Sequence, residues 1–194
     1  MRRFFCVLLS AILLTAGLAA LAEDREKRGG RGGGQSELQQ GIELMASDPE
    51  AAMQCFLQAL EAGNKKAARY VGMMYEQGLG VSQDHALAAQ YYEQGVASGD
   101  LTSYYYLGLL YEQGLGVAQD YEKAAELFTE VAASDNKSAT GVVAAGYALG
   151  RLYELGRGVD QDLDRAIELY REAAGYGNED AIAALERLNA KEER

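Results

Sequence analysis

Apolar and polar positions through the middle of the chain follow a helical rhythm that breaks at fixed places. In Tyr106–Asp120 (Tyr-Leu-Gly-Leu-Leu-Tyr-Glu-Gln-Gly-Leu-Gly-Val-Ala-Gln-Asp), Leu107, Leu110 and Tyr111 continue a spacing of three and four begun at Ser103. One stripe of a helix is therefore apolar or small and turns inward. Near-copies of the stretch occupy Tyr70–Asp84 and Ala148–Asp162. Gly72 and Gly108 are 36 positions apart, and Gly108 and Gly150 are 42 apart. A period of that length predicts stacked supersecondary units, each a pair of helices, rather than one central core.

Each unit carries the same punctuation. Gly72, Gly108 and Gly150 lie beside the inward stripe, where a glycine weakens a helix by about 1 kcal/mol relative to alanine; their recurrence predicts close approach by a neighbouring helix. Tyr75, Tyr111 and Tyr153 follow three positions later. Gly78, Gly114 and Gly156 end the first helix in a left-handed cap, and Gly80, Gly116 and Gly158 complete the turn. The valine after them is available to fill the gap between the helices. Asp84, Asp120 and Asp162 cap the second helix. Asp48 aligns with them and is followed by Pro49, the only proline, at the first helical position where proline is at home. The units predicted are 64–98, 100–134 and 138–176. An earlier degenerate unit covers 37–62, with apolar spacing but no Gly–Tyr signature in Glu37–Ala46, and a terminal capping helix covers 178–190, where Ile182, Leu185 and Leu188 keep one apolar face. The whole is an all-α array of about nine helices over residues 37–194. The six extra residues of the third unit, around Asn136–Ala145, lengthen its junction.

Composition changes the picture mainly at the N-terminus. Arg2 and Arg3 precede an apolar run from Phe4 to Leu18 that closes on Ala20-Leu21-Ala22 before Glu23. These are the parts of a signal peptide over 1–22 cut after Ala22, and the general export route is expected. A retained anchor is the alternative, because the 19 residues Phe4–Ala22 approach the ~20 of a membrane span. Residues 23–36 include Arg-Glu-Lys-Arg-Gly-Gly-Arg-Gly-Gly-Gly and read as a flexible spacer. The chain carries a net charge of −11, made more negative by loss of Arg2 and Arg3. An acidic body repels phosphate backbones and anionic lipid, which excludes a nucleic-acid partner and leaves membrane contact to an uncleaved signal segment. After cleavage only Cys55 remains, so no intrachain disulfide forms, and a buried small hydrophobe is its expected role.

The recurring residues resemble the Sel1-like repeat, a relative of the tetratricopeptide repeat: a first helix ending Leu-Gly-x-x-Tyr, then Gly-x-Gly-Val, Asp-x-x-x-Ala and an aromatic-rich second helix. The usual Trp-Tyr pair of that helix is replaced by Tyr91-Tyr92, Leu127-Phe128 and Leu169-Tyr170. The cysteines of the disulfide-bearing branch are missing, so the penicillin-binding or hydrolytic activity of that branch does not carry over. The resemblance implies a right-handed α-solenoid used as an adaptor or regulator.

No chemistry competes with that reading. His85, the only histidine, falls at the start of a second helix, where it is expected to be exposed. One His and one Cys in separate units supply no metal site. The Gly-x-Gly pairs lack the Gly-Lys-Ser/Thr of a phosphate loop, and the in-register Glu76, Glu112 and Glu154 read as structure or surface. No cofactor, metal or catalytic residue is expected. A protein partner is expected instead on the concave face, lined by Lys66, Arg69, Met73 and Gln77; Thr102, Tyr105, Leu109 and Gln113; and Ala144, Tyr147, Arg151 and Leu155. Of these, Arg69, Met73, Tyr105, Leu109, Tyr147 and Arg151 vary between units and are of types that dominate interfaces. Packing between units is the alternative for Tyr105 and Tyr147. Three first helices of ~20 Å at ~10 Å spacing offer roughly 500 Å², which suits a peptide or small domain rather than a standard interface of about 800 Å² per partner. The functional expectation is an exported scaffold, in the periplasm or secreted. The alternatives are a periplasmic inhibitor or immunity protein that neutralises a toxic enzyme, and a hydrolase.

Overall fold

The computed structural model describes residues 34–136 and 141–192, and among these residues it contains nine α-helices and no strand. They are α1 (Gln35–Leu44), α2 (Pro49–Glu61), α3 (Ala67–Gln77), α4 (His85–Val96), α5 (Leu101–Gln113), α6 (Tyr121–Ala132), α7 (Val142–Leu155), α8 (Leu163–Gly175) and α9 (Glu179–Glu192). The expected leader over 1–22 and residues 23–33 of the expected spacer lie outside the described residues, as does 137–140 of the lengthened junction. Each helix packs on its neighbours in the chain, and α5 also meets α7. The result is the expected α-solenoid, whose core is a succession of apolar layers between consecutive helices.

The glycines of the first helices face aromatic rings. A Cβ on Gly72 would lie 2.7 Å from the Tyr92 ring, on Gly108 2.6 Å from Phe128, and on Gly150 2.7 Å from Tyr170. Carbon atoms in ordinary contact stay ~3.5–4.0 Å apart, so these positions admit no side chain. The close approach is thus made by a side chain of the unit's own second helix. The first unit has the same device, contrary to the expectation that it lacks the glycine: a Cβ on Gly41 would lie 2.5 Å from Phe56. Gly41 precedes its ring by 15 positions and the others by 20, because the first hairpin loop is shorter. That shift hides the glycine from a search at constant spacing.

The loops of the three full units are built alike. Gly78, Gly114 and Gly156 take left-handed angles (φ 69°, 70° and 62°) and cap the first helices. Gly80, Gly116 and Gly158 press against the backbone at Pro49, His85 and Tyr121, the first helical residues of the preceding α2, α4 and α6. The second glycine is therefore an inter-unit joint as well as a turn. Gln83, Gln119 and Gln161 donate side-chain hydrogen bonds to the carbonyls of Glu76, Glu112 and Glu154 at 2.7, 2.8 and 2.8 Å. Asp48, Asp84, Asp120 and Asp162 accept from backbone N–H groups at the starts of the second helices. Val81, Val117 and Val159 pack against the apolar layers, and Cys55 is buried and unpaired with another cysteine.

Three expectations need correction. α1 starts at Gln35 rather than Glu37, with Gly34 at its cap packed on the backbone of Ala59. His85 is half-buried rather than exposed, because the Gly116 loop covers its backbone, and its Nδ1 is enclosed without a hydrogen-bond partner. In α9 the buried stripe is Ala181, Ala184 and Leu188, with Leu185 half-buried, while Ile182 is 41% exposed. The small residues face α8, so the bulkier one turns outward.

Gly108→Ala is expected to lose about 1–2 kcal/mol, since overpacking costs ~1–3 kcal/mol and the gain in helix propensity returns at most about 1. Gly146→Ala, where a Cβ meets open space within α7, should gain about 0.5–1 kcal/mol. Urea unfolding of both variants checks the pair; equal behaviour would refute the steric account.

Candidate functional site

The six residues expected to face a partner are distributed by the structure into different duties. Arg69 joins α3 to the start of α5: its Nη1 donates to Asp100 Oδ1 at 3.0 Å and Thr102 Oγ1 at 3.4 Å, and its Nη2 donates to the Tyr70 hydroxyl at 2.9 Å. Asp100 is also the N-cap of α5 and accepts from the N–H and hydroxyl of Ser103. Arg69 is therefore half-buried and tied to the start of α5, and Thr102, expected beside it on the surface, is buried. Met73 packs against the α4–α5 layer. Tyr105 lies 6.1 Å from Phe128 and 5.4 Å from Tyr106 between ring centres, and it also meets Gly141 at the start of α7. Tyr147 lies 5.6 Å from Tyr170. Both rings pack within the array.

Leu109 and Arg151 do come together. With Gln113, Gln119, Tyr121 and Arg157 they line a notch of about 450 Å³ between the ends of α5 and α7. The Arg157 guanidinium sits 5.3 Å over the Tyr121 ring, and Arg151 Nη2 lies 3.4 Å from the nearly buried carboxylate of Glu112. Leu109 also packs against the α6–α7 layer, leaving its remaining surface to the notch.

The carboxylates that recur in register hold the units together. Glu76 accepts from the Tyr92 hydroxyl at 2.5 Å, and Glu154 accepts from Tyr170 at 2.9 Å. Phe128, at the equivalent place, has no hydroxyl, and the carboxylate of Glu112 lies against Arg151 of the next unit. One unit further on, Arg187 of α9 takes both oxygens of Glu154 at 2.6 and 2.7 Å. Arg151 and Arg187 occupy the same position of their units, 36 apart. Neither pairing shows in local sequence, although the Gln before each capping Asp (Gln83, Gln119, Gln161) was a visible signal for the loop bonds.

Among the described residues, no three His, Cys, Asp or Glu side chains are grouped to hold a metal ion, and no helix is long and apolar enough to cross a membrane. The titration behaviour that stands out is structural. Burial pushes the Tyr92 and Tyr170 phenols well above their ordinary range, reinforced by the hydrogen bonds to Glu76 and Glu154. Burial likewise raises Tyr105 and Tyr106. In the unfolded chain these phenols ionise near pH 10. A folded pKa above the unfolded one contributes stability that is complete below about pH 10 and is lost as pH rises through the folded values. Urea midpoints should therefore fall from about pH 10 upward, and the double variant Tyr92→Phe, Tyr170→Phe should show a flatter profile. An equally steep fall in that variant would contradict the assignment.

Comparison with known proteins agrees with this geometry. The model of the Sel1 repeat matches residues 33–64, 65–100, 102–136 and 143–175. The solved structure of c5321, a protective antigen present in uropathogenic Escherichia coli strains and displaying an SLR fold, is 28% identical with a TM-score of 0.68, covering 80% of this chain and 33% of that one. A Sel1 repeat protein from Oxalobacter formigenes is 26% identical with a TM-score of 0.69, covering 79% of this chain and 62% of that one. The chain thus spans about a third of the first relative and under two thirds of the second. No curated protein sequence matches it. With four repeat matches laid over helix pairs built on one plan, the chain belongs to the Sel1 repeat family.

Proposed function

We infer that this chain is an exported, non-catalytic scaffold that docks a segment of one protein partner on the face of its first helices, as an adaptor or regulator of the cell envelope. Sel1-repeat proteins generally mediate protein–protein interaction, and their scaffold is generally non-catalytic. The observation that carries the site is the notch holding Leu109 and Arg151. These are the same position in successive units, yet one is apolar and the other cationic. The scaffold residues around them, Gly108 and Gly150, Tyr111 and Tyr153, do not change. Arg157 and Gln113 add polar groups that can orient a peptide carboxylate or amide beside Leu109. The notch has room for one or two side chains, consistent with a peptide or a protruding loop. Export rests on the composition of residues 1–22, with the mature chain starting at Glu23.

A photoreactive amino acid at Leu109 or Gln113 in the producing cells should give a discrete protein adduct, and one at Glu168 on α8 should not. Arg151→Glu should weaken that adduct about tenfold, as expected for a reversed charge at a polar contact. Absence of an adduct at Met73, Leu109 and Gln113 alike would overturn the reading, and a single basic hydrolase as the partner would favour the inhibitor alternative. The intact mass of the cell-derived protein should correspond to residues 23 onward; retention of residues 1–22 would leave the anchor.

A further inference from the structure

A second surface lies between successive second helices, away from the notch. α4 and α6 flank a groove of about 620 Å³ whose floor is α5 and whose end is closed by the Gly158–Val159 loop. Its inner lining is apolar and aromatic, with Val96 from α4 and Tyr104 and Tyr111 from α5 over the buried Leu107. Its rim is acidic: Glu122, Glu126 and Glu130 stand four apart along α6, and Glu93 lines it from α4. Lys123 is the one cation in the lining and is paired with Glu126 at 2.7 Å.

The array does not require that rim. The residues of α4 equivalent to Glu122, Glu126 and Glu130 are Ala86, Gln90 and Gln94, so the same helix position is neutral one unit earlier. One unit later Asp164, Glu168 and Glu172 are acidic and Arg165 pairs with Glu168 as Lys123 pairs with Glu126, but Arg171 stands where α6 has Thr129. Like charges four apart on a helix destabilise it slightly. Glu130, in the last turn of α6, also opposes the helix dipole. Local structure gains nothing from the charge of Glu130, and the α4–α6 groove combines apolar and aromatic lining with a rim of net negative charge over about 12 Å of helix.

We propose that this groove docks a cationic amphipathic segment of a partner protein, with an apolar side chain on Val96 and Tyr104 and Lys or Arg groups reaching Glu122, Glu126, Glu130 and Glu93. The pairing follows from charge complementarity with an apolar anchor. It is independent of the notch at Leu109 and Arg151.

The test uses the purified full chain and a 14-residue amphipathic Lys/Leu peptide, with a Glu/Leu peptide of the same pattern and a Lys-only peptide as comparisons. The Lys/Leu peptide should bind saturably and the other two at least about tenfold more weakly. Glu122→Gln, Glu126→Gln, Glu130→Gln together should weaken it about tenfold. A control of equal charge change, Glu43→Gln, Glu50→Gln, Glu186→Gln, should change it less than about twofold. Thr129→Arg, which places in the groove the residue that Arg171 supplies one unit later, should also weaken it about tenfold with folding unchanged by circular dichroism. Equal loss in both triple variants, or unchanged affinity in Thr129→Arg, would overturn the proposal. So would a carbodiimide cross-link from Lys27 to Glu122, Glu126 or Glu130 in the peptide-free chain, since the occupant would then be this chain's own basic segment.

Discussion

The contact on which the array depends is an aromatic ring laid on a bare stretch of helix backbone. Phe56, Tyr92, Phe128 and Tyr170 are fully buried, and each sits over a glycine of its own hairpin. Removing Cβ lets the two helices of a unit close to a separation that no side chain permits. The ring supplies the buried area in return, and ring contacts beyond area burial add about 0.5–1.5 kcal/mol each. Two of these rings also reach the next unit. Phe56 stacks with Tyr70 at 4.9 Å, and Tyr92 stacks with Tyr106 at 5.4 Å. One side chain thus fixes both the closure of a hairpin and the seat of its successor.

The third junction departs from this pattern in a consistent way. The residue equivalent to Tyr70 and Tyr106 is Ala148, and Phe128 is met instead by Tyr105 from its own unit. That is also the junction lengthened by six residues, and the one where Glu112 takes an arginine rather than a tyrosine hydroxyl. Loss of the inter-unit tyrosine, loss of the phenol on Phe128 and gain of Arg151 occur together at one joint. At all three joints the spacing between units is set by backbone against backbone, where Gly80, Gly116 and Gly158 meet Pro49, His85 and Tyr121. Such a joint is indifferent to the side chain beneath it, which is why proline, histidine and tyrosine all serve. Leu163, the equivalent residue of α8, is followed by no such loop among the described residues and remains 43% exposed.

These joints decide which residues are left for recognition. Arg69, Tyr105 and Tyr147 are the right types for an interface, but each gives part of its surface to a neighbour that comes from elsewhere in the chain. What remains on the first-helix side is a notch of modest size. On the second-helix side, Glu122, Glu126 and Glu130 of α6 meet a single cation, Lys123, which pairs with Glu126. The array therefore presents two chemically distinct surfaces: one mixed and arginine-bearing, the other apolar with a carboxylate rim.

The helices, their caps and the identity of the repeating unit were legible in the chain, because each depends on residues within a few positions of one another. The spacing of Gly108, Gly114, Gly116 and Asp120 is a local code for helix, left-handed cap, turn and N-cap. Gly41 shows where that code fails: its ring partner arrives through a loop of different length, so only packing reveals it. The fate of Arg69, Arg151 and Glu112 was not legible, since an ion pair with a partner some 30 to 40 residues away leaves no mark on local spacing. Exposure of a helix position likewise depends on what the next unit lays over it. Sequence by itself determined the repeat and its helices through short-range sterics and hydrogen bonding. Tertiary structure alone decided which charges are consumed at the joints and which face outward, because that depends on how successive units stack.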